Sequence, residues 1–364
     1  MGAWLSVCAG WAFAAGGGIT PPEPPEVTDV VCISKCAGMH KATTGSKVQV
    51  SGRHLGHVSE VLFNAEGGGR IAAEPVAAAN RLVTAKVPEG AATGRPRIVD
   101  SYDNGARSPK TLWVVGPGQI QSGSFKLRDA SAQPRRSYYF GMRQPRVTYM
   151  FTNSEPTRVR IDVVRRGKGT VVDSWVERAQ EPNTTHTATW NGIRRGKPVR
   201  NGEYKFRIGP QSGTMESTSD ASFQYHRFKF PILGRHSYGD GIGAPRSGHT
   251  HQGQDLFARC TTPLVAARGG RVQWKAYHSS AGYYLVIDGR KTGHDFVYMH
   301  LRKPSNLHKG ERVRTGERIG QIGQSGNASG CHLHMEEWSA PGWYQGGHFV
   351  RGITKHLKKW DRWS

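Results

Sequence analysis

A chain of 364 residues has room for two or three domains. Its 47 glycines and 20 prolines, with few helix-period apolar runs, argue against a mainly helical fold. The formal net charge of +23 is spread out: 20 basic residues stand against 9 acidic ones after position 228, and 30 against 18 before it. No single basic tail or helix carries the excess, so what remains is a diffuse positive field that attracts polyanions. Nucleic acid is one such polyanion, and the anionic polymers and carboxylates of a bacterial wall are others. A basic protein with no polyanion partner also stays open.

Residues 1–20 are expected to be a signal peptide. They are apolar for roughly a dozen residues and then reach Ala12-Phe13-Ala14, a small-x-small cleavage pattern, although no basic stretch precedes the run. The run is too short to span a bilayer. Cys8 would be a lipidation site only with a better residue than Val7 before it and a longer apolar run. No later segment is apolar enough to cross a membrane. With export, the four cysteines beyond the leader pair by position as Cys32 with Cys36 and Cys260 with Cys331. The competing reading makes some of them zinc ligands or free thiols, but no C-x-x-C motif is present.

Residues 21–26 form a stiff, proline-rich linker, Pro21-Pro-Glu-Pro-Pro-Glu26. The segment 27–116 reads as short strands between glycine turns, with a hairpin turn at Asp103-Asn-Gly105. It resembles an IPT/TIG-type immunoglobulin-like domain. Alternation continues in 117–228, as in Val147–Phe151 and Arg158–Val163. There Trp190-Asn-Gly192 and the run Gly196–Ile208 resemble the immunoglobulin-like domain of flagellar hook-capping proteins. Tyr204 and Phe206 alternate with polar residues. The expectation is that they pack with Trp190 in a sandwich core, and stacking on sugars is the less frequent alternative.

The chemistry lies in 229–364. His332 and His334 are two apart, so on a strand both rings address one site. His251 and Asp255 are four apart, about 13 Å on a straight strand at roughly 3.3 Å per residue, so the chain must bend between them. Gly253 supplies freedom for that bend. His251 is therefore placed on a turn, and Asp255 opens a strand.

The ordered set His251-Gln-Gly-Gln-Asp255, Tyr298-Met-His300-Leu and Cys331-His332-Leu-His334 resembles the lysostaphin-type (LytM-type) zinc metallopeptidases of peptidoglycan. The surrounding glycine turns, Gly310–Gly320 and Gly323-Gln-Ser-Gly326, follow the same order. The resemblance implies an all-β, mostly β architecture: two immunoglobulin-like sandwiches followed by a β-rich peptidase domain. It also implies one zinc per chain, held by His251, Asp255 and His334, with His300 and His332 flanking the water as catalytic groups. Either of the two could be the base.

His249, in a second H-x-H pair, is a rival ligand. His278, His294, His308, His348 and His356 match no ligand position and are expected at the surface or rim. Glu336 can face the side of His334 and orient a ligand. Met335 stands where an aromatic residue is usual and is expected to pack. A Cys260–Cys331 bridge would tie together the two strands that deliver the ligands.

The function expected is a secreted, envelope-associated zinc endopeptidase that cleaves peptidoglycan peptides, with peptidoglycan and anionic wall polymers as partners and no stable membrane insertion. The alternative is a non-catalytic regulator of other wall hydrolases, against which the complete ligand set counts. Nucleic acid is disfavoured as a partner: the pI of about 10.1 is its only support, and no nucleic-acid module is recognisable.

Overall fold

The protein is described by a computed structural model for residues 23–120, 123–246 and 248–364. The expected signal peptide, with Cys8, lies outside the described residues. Among the described residues no helix is long and apolar enough to cross a membrane. The chain divides into two compact units, residues 1–119 and 120–364.

Among the described residues, the first unit is built from two sheets. In one, Glu26–Gly38 and Lys41–Arg53 pair antiparallel, with Val30 opposite Val50 and Cys32 opposite Val48. Leu82–Lys86 and then Pro75–Ala79 extend that sheet, and Trp113–Val114 runs parallel to its second strand. The other sheet has the order Arg70–Ala73, Val58–Ala65, Ala91–Asp100, Gly105–Arg107. Alternate β-branched and aromatic residues, among them Val48, Val50, Val61, Phe63 and Val83, are fully buried, as period-2 patterning demands. Asp103 does lie in a hairpin turn: its φ is 63°, and the Asp100 carboxylate accepts the amides of Tyr102 and Asn104. A disulfide joins Cys32 and Cys36.

The second unit contains two hydrophobic cores. The first lies between a three-stranded sheet (Lys126–Gln133, Arg146–Thr152, His186–Thr189) and a five-stranded one that includes Thr157–Arg165 and Gly202–Pro210. Trp190, Tyr204 and Phe206 are buried in it, the first two with ring centroids 5.6 Å apart. Their polar tips are used as well: the Trp190 indole donates to Asp173, and the Tyr204 hydroxyl donates to the carbonyl of Arg200. This aromatic row is core, not a sugar platform.

The second core lies under a seven-stranded sheet. Its strands are β1 (His236–Tyr238), β2 (Gln254–Ala258), β3 (Gly270–His278), β4 (Gly282–Gly289), β5 (His294–Leu301), β6 (Arg312–Val313) and β7 (His332–Ser339). Their order across the sheet is β1-β2-β7-β5-β4-β3-β6. Leu256, Leu285, Ile287, Phe296, Tyr298, Leu333 and Met335 face this core, so Met335 packs as expected. The helix α1 (Ile353–Asp361) closes the core with Ile353, Leu357 and Trp360. That i, i+4, i+7 stripe is a helical pattern in a chain otherwise dominated by strand alternation.

The two cores, drawn from residues 127–225 and 230–360, are closely joined within one compact unit. Thr315 donates its hydroxyl to the carbonyl of Tyr139, and His226 stacks on Trp363 at 4.6 Å. The buried Arg268 guanidinium lies 4.2 Å from the Tyr139 ring and 5.0 Å from that of Phe228.

Candidate active site

Strand register assembles the site. In β2, Asp255 pairs with His334 of β7, and in β5, Met299 pairs with the same His334. Because Leu333 and Met335 face the core, His332, His334 and Glu336 face away from it on the same strand. His251 directly follows the short strand His249–Thr250 and is brought back toward Asp255 by an irregular stretch. Gly253 is needed for space: a Cβ there would lie 2.7 Å from His334 Nε2 and 2.5 Å from the Met335 carbonyl. Its φ is not positive, so close approach of the histidine ring, not a left-handed bend, requires glycine here.

His251, Asp255 and His334 meet in a tight, buried triangle. His251 Nε2 lies 2.9 Å from His334 Nδ1, and Asp255 Oδ1 lies 3.1 Å from the former and 2.9 Å from the latter. The outward nitrogens are both occupied. His251 Nδ1–H donates to the carbonyl of Gly241, and His334 Nε2–H donates to Glu336 Oε1 at 3.0 Å. Those donations leave two imidazole lone pairs and a carboxylate oxygen converging with no donor among them. Such a set fits a cation: two nitrogens and one oxygen are the ligand types of a three-residue zinc site that keeps an open position. Without one, a proton must serve. Burial opposes the His334 charge, but hydrogen bonds to Asp255 and Glu336 overcome it and raise the pKa to about 9. Burial would likewise raise Asp255, yet the facing His251 and His334 rings hold its carboxyl well below the usual range.

Two further histidines stand beside the triangle. His300 and His332 are buried, with ring centroids 4.6 Å apart, and His332 Nε2 lies 3.8 Å from Asp255 Oδ1. His300 Nδ1–H donates to the carbonyl of Ser325, and His332 Nδ1–H to that of Gly330, so each ring keeps Nε2 as an acceptor. Burial, helped by the nearby His332 and His334, lowers His300 to about 4 and keeps it neutral near pH 7. Its backbone is left-handed, φ 59°, held by a hydrogen bond from its amide to Ala281, a conformation that costs a non-glycine residue on the order of 1–3 kcal/mol. The turn carrying Ser325 packs so closely that a Cβ on Gly326 would lie 2.2 Å from the Gly282 amide.

All five expected site residues are thus together. His249 is exposed outside the triangle, and none of His278, His294, His308, His348 or His356 joins it. Several supports were not read from the sequence. Arg246 reaches Asp255 Oδ2 at 3.3 Å, and buried Gln254 ties down Gly239 and Asp240 next to the carbonyl that anchors His251. Both depend on loop geometry that has no local signature. A disulfide joins Cys260, just beyond β2, to Cys331, just before β7.

A sequence model of Peptidase family M23 matches residues 249–344. The peptidoglycan DD-endopeptidase ShyC of Vibrio cholerae is 37% identical over 86 residues, 24% of this chain and 19% of that protein. The glycyl-glycine endopeptidase ALE-1 of Staphylococcus capitis is 32% identical over 93 residues, 25% of each chain. The solved catalytic domain of lysostaphin from Staphylococcus simulans superposes with a TM-score of 0.31 at 26% identity, covering 34% of this chain and 92% of that one. The chain spans about a fifth of the length of the first curated relatives it matches. Residues 249–344 of this chain are a peptidase family M23 domain, and the whole ordered set from His251 to Glu336 lies inside it.

Proposed function

We propose that the protein is a secreted zinc-dependent endopeptidase that hydrolyses peptide bonds in bacterial peptidoglycan. The observation that carries this reading is the donor-free triangle of His251, Asp255 and His334 beside two histidines that each keep an acceptor nitrogen. The relatives named for peptidoglycan and glycyl-glycine endopeptidase activity support the substrate class.

His251, Asp255 and His334 would hold the zinc, with Glu336 orienting His334 and Arg246 steadying Asp255. When bound, the zinc supplies a Lewis acid and brings a water's pKa toward neutrality. His300, kept neutral by burial, accepts a proton at Nε2 from the attacking water and returns it to the leaving amine. His332, whose Nε2 faces the same space, would position the water or steady the developing oxyanion. Further along the sheet, Trp274, Tyr284, Met299, Trp343 and Tyr344 line a cavity of about 590 Å³ that would take part of the substrate. The β-rich regions before residue 229 would be immunoglobulin-like modules that dock or space the enzyme on the wall.

The test is digestion of purified peptidoglycan from several wall types, followed by mass spectrometry of the released fragments. The expected result is loss of cross-linked species and new amine termini, abolished by chelation and restored by zinc. Zinc-loaded protein that binds walls but creates no new terminus on any of them would overturn the reading in favour of a non-catalytic regulator.

A further inference from the structure

Away from the triangle, a cavity of about 850 Å³ opens between the two cores of the second unit. One wall carries Arg165, Lys197 and Arg200; the other carries Arg268, Lys291 and Lys359. Arg227 lies in the segment that joins them. Among the described residues, none of these seven cations forms an ion pair with a carboxylate. Where they are held, backbone carbonyls hold them: Arg165 donates to Asn201, Arg227 to Pro198 and Val199, Arg268 to Arg227 and Arg290, and Lys291 to Gly196.

Among the described residues, the only carboxylate in the lining is Glu337, and it is already engaged. Its two oxygens accept hydrogen bonds from His294 Nδ1 at 2.6 Å and His356 Nδ1 at 2.7 Å. Arg268 is 1% exposed, so a guanidinium charge is buried at the base of the cavity without a counter-charge. Carbonyls and the Tyr139 and Phe228 rings compensate that buried charge, so it is the exposed, carboxylate-free cations around the cavity that are placed to meet an oxyanion.

Size and shape narrow the class. The cavity is many times larger than one phosphate and is open to solvent, with Lys197, Arg200, Lys291 and Lys359 exposed at its rim. A chain bearing several anionic groups fits it better than a single ion. Among the lining residues described, Phe228 and Trp360 stack on each other at 4.7 Å with Trp360 buried, and the His294 and His356 rings are tied to Glu337 through Nδ1, which disfavours stacking on a nucleobase.

We propose that this cavity binds a phosphodiester-linked polyol chain, one without bases, of the glycerol-phosphate kind. The proposal does not depend on the peptidase reading, because binding is measured without turnover. It is also distinct from a diffuse attraction, because it assigns the contact to particular cations.

The experiment is calorimetric titration of a synthetic glycerol-phosphate hexamer into the full-length, zinc-loaded protein. One site per chain is expected. The variant Lys197→Ala, Arg200→Ala, Lys291→Ala removes three exposed charges and should weaken binding at least about tenfold, since charge-assisted contacts to phosphate are lost. Lys41→Ala, Lys47→Ala, Lys86→Ala removes the same charge from the first unit and should change affinity less than about twofold. Unchanged zinc content and unfolding midpoint would show that both variants are intact. Equal weakening by the two variants would overturn the proposal in favour of a diffuse field. Equal binding of a glutamate hexamer would overturn the choice of phosphate, and tighter binding of a thymidylate hexamer would overturn the exclusion of nucleic acid.

Discussion

Replacing Glu336 tests how the site is held. Its carboxylate is buried and receives two donors, His334 Nε2–H at 3.0 Å and the Trp338 indole N–H at 2.7 Å. Burial would raise its pKa, but the hydrogen bond and charge of His334 bring it below the usual carboxylate value, so it is ionised at neutral pH. Glu336→Gln keeps the shape but not the charge, and its amide oxygen can satisfy only one donor well while its NH₂ meets the other. Partners of this kind typically contribute about 10–100-fold to metal affinity, equivalent to roughly 1.4–2.7 kcal/mol. Glu336→Ala leaves two donors without their acceptor, at about 1–3 kcal/mol of stability for each one that stays buried. Zinc affinity is read by competition with a chromophoric chelator, and stability by the unfolding midpoint of the metal-free protein. The expected pattern is weaker zinc binding with a modest stability loss for Gln, and a larger loss of both for Ala. Zinc affinity within about twofold of the parent for both variants would refute the idea that this carboxylate sets the ring of His334.

Gly253→Ala places a methyl against His334 Nε2 and the Met335 carbonyl, so folded protein should lose zinc and about 1–3 kcal/mol of stability, checked by metal content and denaturant unfolding. Removing the Cys260–Cys331 bridge with two serines opens a loop of sequence separation 71 and should cost up to about 4 kcal/mol by urea unfolding; an unchanged midpoint would show that the bridge adds nothing. In metal-free protein the raised His334 pKa favours the folded state fully below the unfolded value near 6.5 and loses that effect as pH rises through about 9. The Tm of the metal-free form should therefore fall between pH 6.5 and 9 while the zinc-loaded form shows no such fall, and a flat metal-free profile would contradict the proton-for-metal picture. A fragment starting at residue 229 would strip Tyr139 from Arg268 and Thr315, and should unfold at lower denaturant than the full chain.

The site was legible because its chemistry sits at fixed local spacings. H-x-H on a strand puts two rings on one face, and that holds whatever surrounds β7. The need for a bend between His251 and Asp255 could be read, but the reason for Gly253 could not. Its Cβ would meet a ring brought in from 81 residues further along the chain. Arg246, Gln254 and the carbonyls of Gly241, Ser325 and Gly330 act through loop conformations, which carry no residue-type signature. Helix α1 was missed for a different reason: its apolar stripe is present, but it is short and sits in a chain dominated by alternation. The joining of the two cores in the second unit rests on contacts such as Arg268 with Tyr139, which no local pattern encodes.

The most direct test is a zinc titration of chelator-stripped protein, followed by the initial rate of cleavage of a soluble cross-linked peptidoglycan peptide. The rate should be near zero without metal, rise linearly, and level off at one equivalent per chain. His251→Ala, Asp255→Ala and His334→Ala should stay inactive at the same zinc. Full activity in the stripped protein, a plateau only at two equivalents, or rescue of all three variants by one equivalent would contradict a single catalytic zinc held by these residues.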